Sequence, residues 1–131
     1  MRFMESRLLG IQIDETGHEV VLSLRDTEGV KFALQLHGVE RLLVNEVRQQ
    51  NVVEEMTHWK RGGEAEGLRD VAFALMTGAP EKDCAPQLAA VARDVVDRVT
   101  RGEIELIEIS AVFGAQVLAS FASMTIARQG L

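Results

Sequence analysis

The chain has 131 residues, 47% of them hydrophobic, and carries 20 acidic against 14 basic side chains for a net charge of −6. A chain of this size and composition can bury a core of its own, which excludes a disordered polymer and fits one domain over residues 1–131. The acidic balance and an aromatic content of only 5%, with no tyrosine, disfavour nucleic-acid binding, which needs cations for phosphates and rings for bases.

The first third reads as an antiparallel β-meander. "RLLGIQI", "EVVLSLR" and "VKFALQLH" are apolar-rich runs with partial alternation. In the third run Val30, Phe32, Leu34 and Leu36 share one face, while Lys31, Ala33, Gln35 and His37 share the other. That pattern is a half-buried strand. "DETGH" and "DTEG" separate the runs, each with Asp first and Gly three residues on, the composition of a tight turn.

Residues 39–59 are harder to read. Val39, Leu42 and Leu43 suit one helical turn, and the polar run "RQQN" breaks any longer apolar stripe. The reading chosen is a short turn or helical start, a strand near 42–48 and a second strand near 51–59 that completes the N-terminal sheet. The glycine-rich, mixed-charge "KRGGEAEG" then predicts a mobile loop over residues 60–67.

Two helices follow. Leu68, Val71, Ala72, Leu75 and Met76 make a helical stripe, with Gly78 as C-terminal cap and Pro80 beyond it. Leu88, Val91, Ala92, Val95, Val96 and Val99 make a second, opened near Asp83 or Cys84, with Pro86 in its first turn and stopped by Gly102. Asp94 with Arg98 and Asp97 with Arg101 stand at i,i+4 on its wet side. Together they predict a helical hairpin.

"EIELIEIS" returns to strand, but Ile104 and Leu106 lie on one face and Ile107 and Ile109 on the other. Either both faces are covered, as by helices on one side and a second layer on the other, or a bulge flips the phase. In the final run Phe113, Val117, Phe121 and Met124 fit a helix, whereas Val117, Ala119 and Phe121 fit a strand that pairs back on "EIELIEIS" through a turn around Gly114; the strand is chosen because the preceding loop is short enough for a hairpin. The fold class expected is therefore α+β: an antiparallel β-meander, a helical hairpin and a returning C-terminal β-hairpin.

Candidate sites are few. Glu54, Glu55 and His58 could converge, but on a strand Glu54 and His58 stand about 13 Å apart, too far for one metal. The chain has three histidines without HExxH spacing, and no P-loop, GxGxxG or GxSxG occurs. Neither a metal nor another cofactor is expected. Trp59 with Lys60 and Arg61 is the candidate protein-contact patch, because tryptophan and arginine are favoured at interface hot spots; a core-edge tryptophan is the competing and preferred reading. Cys84, the single cysteine, excludes an intrachain disulfide and suits a reducing cytoplasm; with Asp83 beside it, it reads as inert. Glu103, Glu105 and Glu108 resemble a carboxylate cluster, although solvated strand charge is the ordinary reading. His58, Glu105 and Glu108 are the candidates for the mouth of a pocket between helices and sheet.

The function expected is a small acidic cytoplasmic module that binds a basic protein, without catalysis; a toxin-neutralising immunity protein is one specific form. The alternatives are a small-molecule binder or minor enzyme, and a homodimer joined through a sheet edge or the aliphatic face of "EIELIEIS". The N-terminus has no long apolar run of the secretory type and no apolar stretch reaches a membrane-spanning length, so no membrane partner is expected.

Overall fold

A computed structural model describes residues 5–45, 51–78, 81–112 and 116–129. The fold is α+β: the described residues form eight strands, all paired antiparallel, and two α-helices between the fifth and sixth. The first sheet contains β1 (Arg7–Ile13), β2 (Glu19–Arg25), β3 (Lys31–His37) and β8 (Ser123–Gln129), in the order β1-β2-β3-β8. The second contains β4 (Arg41–Asn45), β5 (Val53–Trp59), β6 (Glu105–Ala111) and β7 (Gln116–Phe121), in the order β4-β7-β6-β5. Helices α1 (Leu68–Thr77) and α2 (Pro86–Thr100) form the hairpin. Among the described residues no helix is long and apolar enough to cross a membrane.

The meander β1-β2-β3 follows from its turns. The Asp14 carboxylate accepts hydrogen bonds from the Gly17 and Glu19 amides and the Thr16 hydroxyl. Slight desolvation raises this carboxyl, yet the Thr16, Glu19 and Gly17 bonds together hold it below the ordinary aspartate range. Asp26 repeats the device with the Glu28 and Val30 amides. Strand alternation then sends Leu22, Leu24, Leu34 and Leu36 to one face, where they are fully buried.

That face packs on the second sheet. Leu8, Val20, Leu22, Leu24, Phe32, Leu34 and Leu36 meet Val53, Ile107, Ile109, Val117, Ala119 and Phe121 in one core. The other face of the second sheet carries Trp59, Leu106 and Leu118, which meet Leu68, Val71, Ala72 and Leu75 of α1 and Val95 and Val99 of α2. The layers are thus sheet, sheet, helices. β6 lies in the middle layer between β5 and β7, so both its faces are covered, which is why "EIELIEIS" puts isoleucine on each. For the same reason it presents no aliphatic surface to a second copy.

Two corners join the sheets. At one, β3 and β4 form a strand bent at Gly38, and β7 and β8 form a strand bent at Ala122. The two bent strands stay paired through the corner by bonds from the Ala122 amide to the His37 carbonyl (2.8 Å) and from the Glu40 amide to the Ser120 carbonyl (2.9 Å). The run expected as one C-terminal strand is therefore two, of which β7 closes the hairpin on β6 and β8 becomes the outer strand of the first sheet. The turn around Gly114 lies outside the described residues. At the other corner Arg7 bridges Val52, with the Val53 amide donating to the Ser6 carbonyl and the Leu8 amide to the Asn51 carbonyl. Register shifts at Leu8/Gly10 and Val53/Glu55 mark bulges beside this corner, where strands must bend to change layers. Consequently β5 does not complete the N-terminal sheet as expected. Only its start touches β1, and its length pairs with β6. Val39 and Glu40 lead directly into β4 rather than into a helical turn, and the expected extension of that strand to 48 lies outside the described residues.

Ser6 sits in this seam, fully buried, and its hydroxyl has no partner among the described residues. A buried hydroxyl left unpaired forfeits its hydration. Ser6→Ala is expected to stabilise the protein by about 1 kcal/mol, seen as a higher urea midpoint with an unchanged slope.

The helices pack through a large-into-small contact. Phe73, outside the stripe expected for α1, is fully buried against Ala89 and Ala92 of α2. This turns α2 so that Ala89, Ala92, Val95 and Val99 face inward, while Leu88 and Val91, expected in the core, are exposed. Gly78 caps α1 in the left-handed region with its amide on the Ala74 carbonyl, and Pro86 opens α2; Pro80 lies outside the described residues. Arg98 and Arg101 do not pair along α2 with Asp94 and Asp97. Arg98 reaches Glu40 at 3.0 Å and Arg101 pairs with Glu103, because each finds a carboxylate brought closer by the fold.

Candidate functional site

The bulge at Glu54 decides what β5 presents. Val53 and Met56 both belong to the core between the sheets, although an unbroken strand would send them to opposite faces. Past the bulge, Glu55, Thr57 and Trp59 face the helix layer, beside Leu106 and Glu108 of β6. This shared face is apolar where α1 covers it and acidic where α1 ends. Between them lies an open cleft of about 760 Å³, whose rim carries Glu55, Glu64, Glu66, Asp70 and Glu108 and whose floor includes Trp59, Val71 and Ala74. Among the described residues no lysine or arginine lines it. Glu108 accepts a bond from Gln116 Nε2 (3.2 Å) and Glu55 one from the Thr57 hydroxyl (3.4 Å); both partners are neutral, so the charge is not cancelled.

Trp59 holds the cleft's shape. It is 3% exposed. Its indole N–H donates to the Glu66 carbonyl at 2.8 Å, which ties the loop over residues 60–67 back to the sheet. Gly67, with φ +78°, lies against the ring, where a Cβ would stand 3.4 Å from Cζ2. Lys60 and Arg61 are exposed, and the Arg61 stem packs over Gly102, where a Cβ would fall 2.9 Å from its Cδ. Of the three contact candidates, then, two point to solvent and the third forms the floor of the acidic cleft.

The pocket candidates divide between two faces. Glu108 lines the cleft. His58 borders it, but its ring turns to the inner face, stacked on Phe121 (centroids 5.9 Å apart, 28° between planes), and its Nε2 donates to Glu105 at 2.6 Å. Glu105 therefore belongs to the inner face with Ile107, and Glu103 is taken up by Arg101. Glu54, Glu55 and His58 do not converge either, since the bulge separates them. Cys84 is half-buried, with its thiol donating to the Ala85 carbonyl. Among the described residues, no group of three or more His, Cys, Asp or Glu is placed to hold a metal.

Two constellations escaped sequence reasoning. The cleft is one, because Glu64, Glu66 and Asp70 reach Glu55 and Glu108 only through the packing of α1. The other lies on the outer face of the first sheet, where His37 Nδ1 is 3.1 Å from Glu19 and His37 Nε2 is 3.1 Å from the Thr125 hydroxyl. Turn chemistry foretells its first half, since closing the hairpin at Asp26 opposes Arg25 to Lys31 and hence Glu19 to His37. Its side chains are well exposed, so water competes for each contact, and it acts as a cross-strand polar ladder. No family model matches the chain, and no curated protein matches it.

Proposed function

We propose that this protein is a non-enzymatic binding module whose acidic cleft receives a basic segment of a protein partner. The observation that carries this reading is the placement of five carboxylates around an apolar floor, with no lysine or arginine among the described lining residues. A lysine or arginine side chain matches both parts, its stem lying on Trp59 and Val71 and its head among the carboxylates. Carboxylates set around one cleft give it a negative potential, which steers a basic partner toward it. Capture of a basic toxin would be one form of such binding.

The test is fluorescence anisotropy with a labelled arginine-rich peptide at low salt. The native protein is expected to bind, more weakly as salt rises. The triple variant Glu64→Gln, Glu66→Gln, Asp70→Asn, all at exposed positions, is expected to bind about tenfold more weakly, given roughly 0.5 kcal/mol per exposed charge pair. Absence of binding at low salt, or equal binding by the variant, would overturn the reading.

A further inference from the structure

Strand register sets up an opposite charge on the far side of the molecule. Arg7 stands directly across from Arg25, and Arg25 directly across from Lys31. The next position in the row is Gln129. All three cations alternate with Leu8, Leu24 and Phe32, which enter the core, so they lie together on the outer face of the first sheet. Like charges directly opposite one another destabilise a sheet. Here three follow in succession, in a chain whose net charge is −6. Elsewhere Arg69, Arg98 and Arg101 each hold a glutamate, whereas Arg7, Arg25 and Lys31 make no ion pair among the described residues.

Arg7 and Arg25 also line a cleft of about 420 Å³ with Glu5, Asp26, Thr27 and Gly29. The two carboxylates offset part of the row's charge but leave its donors unpaired. Asp26 keeps its charge, but it accepts from the Glu28 and Val30 amides at 2.9 and 2.8 Å rather than from either guanidinium, and neither it nor Glu5 forms an ion pair with Arg7 or Arg25 among the described residues, so the arginine donors are not taken up. The Arg25 guanidinium lies against the turn at Gly29, where a Cβ would make an ordinary 3.5 Å contact with its terminal nitrogen.

From this placement we infer that the Arg7–Arg25 cleft, backed by Lys31, binds a phosphate group. Two guanidinium forks supply paired N–H donors at the spacing of oxyanion oxygens, and the Thr27 hydroxyl supplies another donor. Two forks with Lys31 behind them favour an anion with several acceptor oxygens, such as phosphate, over one with two, such as acetate. The protein's overall negative charge repels a long polyanion, but screening over about 8 Å at physiological salt leaves a small ion governed by the local row. This site is independent of the acidic cleft, which lies beyond the second sheet.

Titration of ¹⁵N-labelled protein at constant ionic strength tests it, with inorganic phosphate, acetate and a simple phosphomonoester as probes. Phosphate is expected to shift the amides of Thr27 and Gly29 and the side-chain Nε–H signals of Arg7 and Arg25, with acetate far weaker. Arg25→Gln is expected to weaken phosphate binding by about tenfold, and Arg25→Lys, which keeps the charge and loses the fork, by less. Lys82→Gln, at an exposed position in the helix connection, is expected to leave it unchanged. A phosphomonoester that binds more tightly than phosphate places the group on a larger ligand; equal binding assigns the free ion. Shifts spread evenly over all basic residues, equal response to acetate, or unchanged binding by a folded Arg25→Gln or Arg25→Lys protein would overturn the inference.

Discussion

Replacing Trp59 with alanine is expected to cost about 3–5 kcal/mol, the range for deleting a buried aromatic ring. Against a total stability of roughly 5–15 kcal/mol for a domain of this kind, that is a large share. The indole fills the angle between β5, α1 and the loop, touching a cluster that includes Leu68, Val71 and Leu106. Its N–H also satisfies the Glu66 carbonyl, so truncation leaves both a cavity and an orphaned acceptor. Trp59→Phe separates the two effects, since it keeps most of the buried area and loses the hydrogen bond, for an expected loss of about 1–2 kcal/mol. Urea unfolding measures both. Amide exchange in residues 60–67 should accelerate in each variant, because the bond to Glu66 is what ties that segment to the sheet. A loss below about 1 kcal/mol for Trp59→Ala would mean that the ring is not packed as described.

The same residue shows what could be read in advance. That tryptophan ends a strand and edges a core follows from its place after "NVVEEMTH" and before three glycines. Which core it edges does not follow, because one extra residue at Glu54 exchanges the two faces of β5 and nothing in the local pattern announces a bulge. The α2 helix poses a similar problem. Its apolar residues spread over a wide arc, and only the arrival of Phe73 selects the alanine side for burial and leaves Leu88 and Val91 outside. Where the constraint is local, the pattern is legible: the Asp-to-Gly turns, the alternation of β3, the Gly78 cap, and the doubled isoleucines of β6, which call for either cover on both sides or a bulge. Where the constraint comes from another segment, it is not. Both charged clefts belong to the second kind, since each is assembled by register and packing from residues distant in sequence.

Gly38→Ala is expected to lose about 3 kcal/mol, by two routes that can be measured apart. Gly38 has φ +65°, a left-handed conformation that costs a residue with a side chain roughly 1–2 kcal/mol. A Cβ at this position would also stand 2.9 Å from the Ala122 Cβ, closer than two carbons pack, so one of the bent strands would have to move, at roughly 1–3 kcal/mol. The position matters because this corner carries the chain between layers twice, once from β3 to β4 and once from β7 to β8. The Ala122 amide, bonded to the His37 carbonyl, lies at the crossing. Pairing Gly38→Ala with Ala122→Gly removes the clash and leaves the backbone cost. The double variant should therefore be more stable than the sum of the single changes predicts, with a coupling of about 1–2 kcal/mol. Additive losses would assign the whole effect to backbone conformation and remove the steric crossing as a determinant of the corner. A coupling of the expected size would mean that the two sheets are held in register by the close approach of these two small residues, so that any side chain larger than alanine at 122 should raise the cost of every substitution at 38.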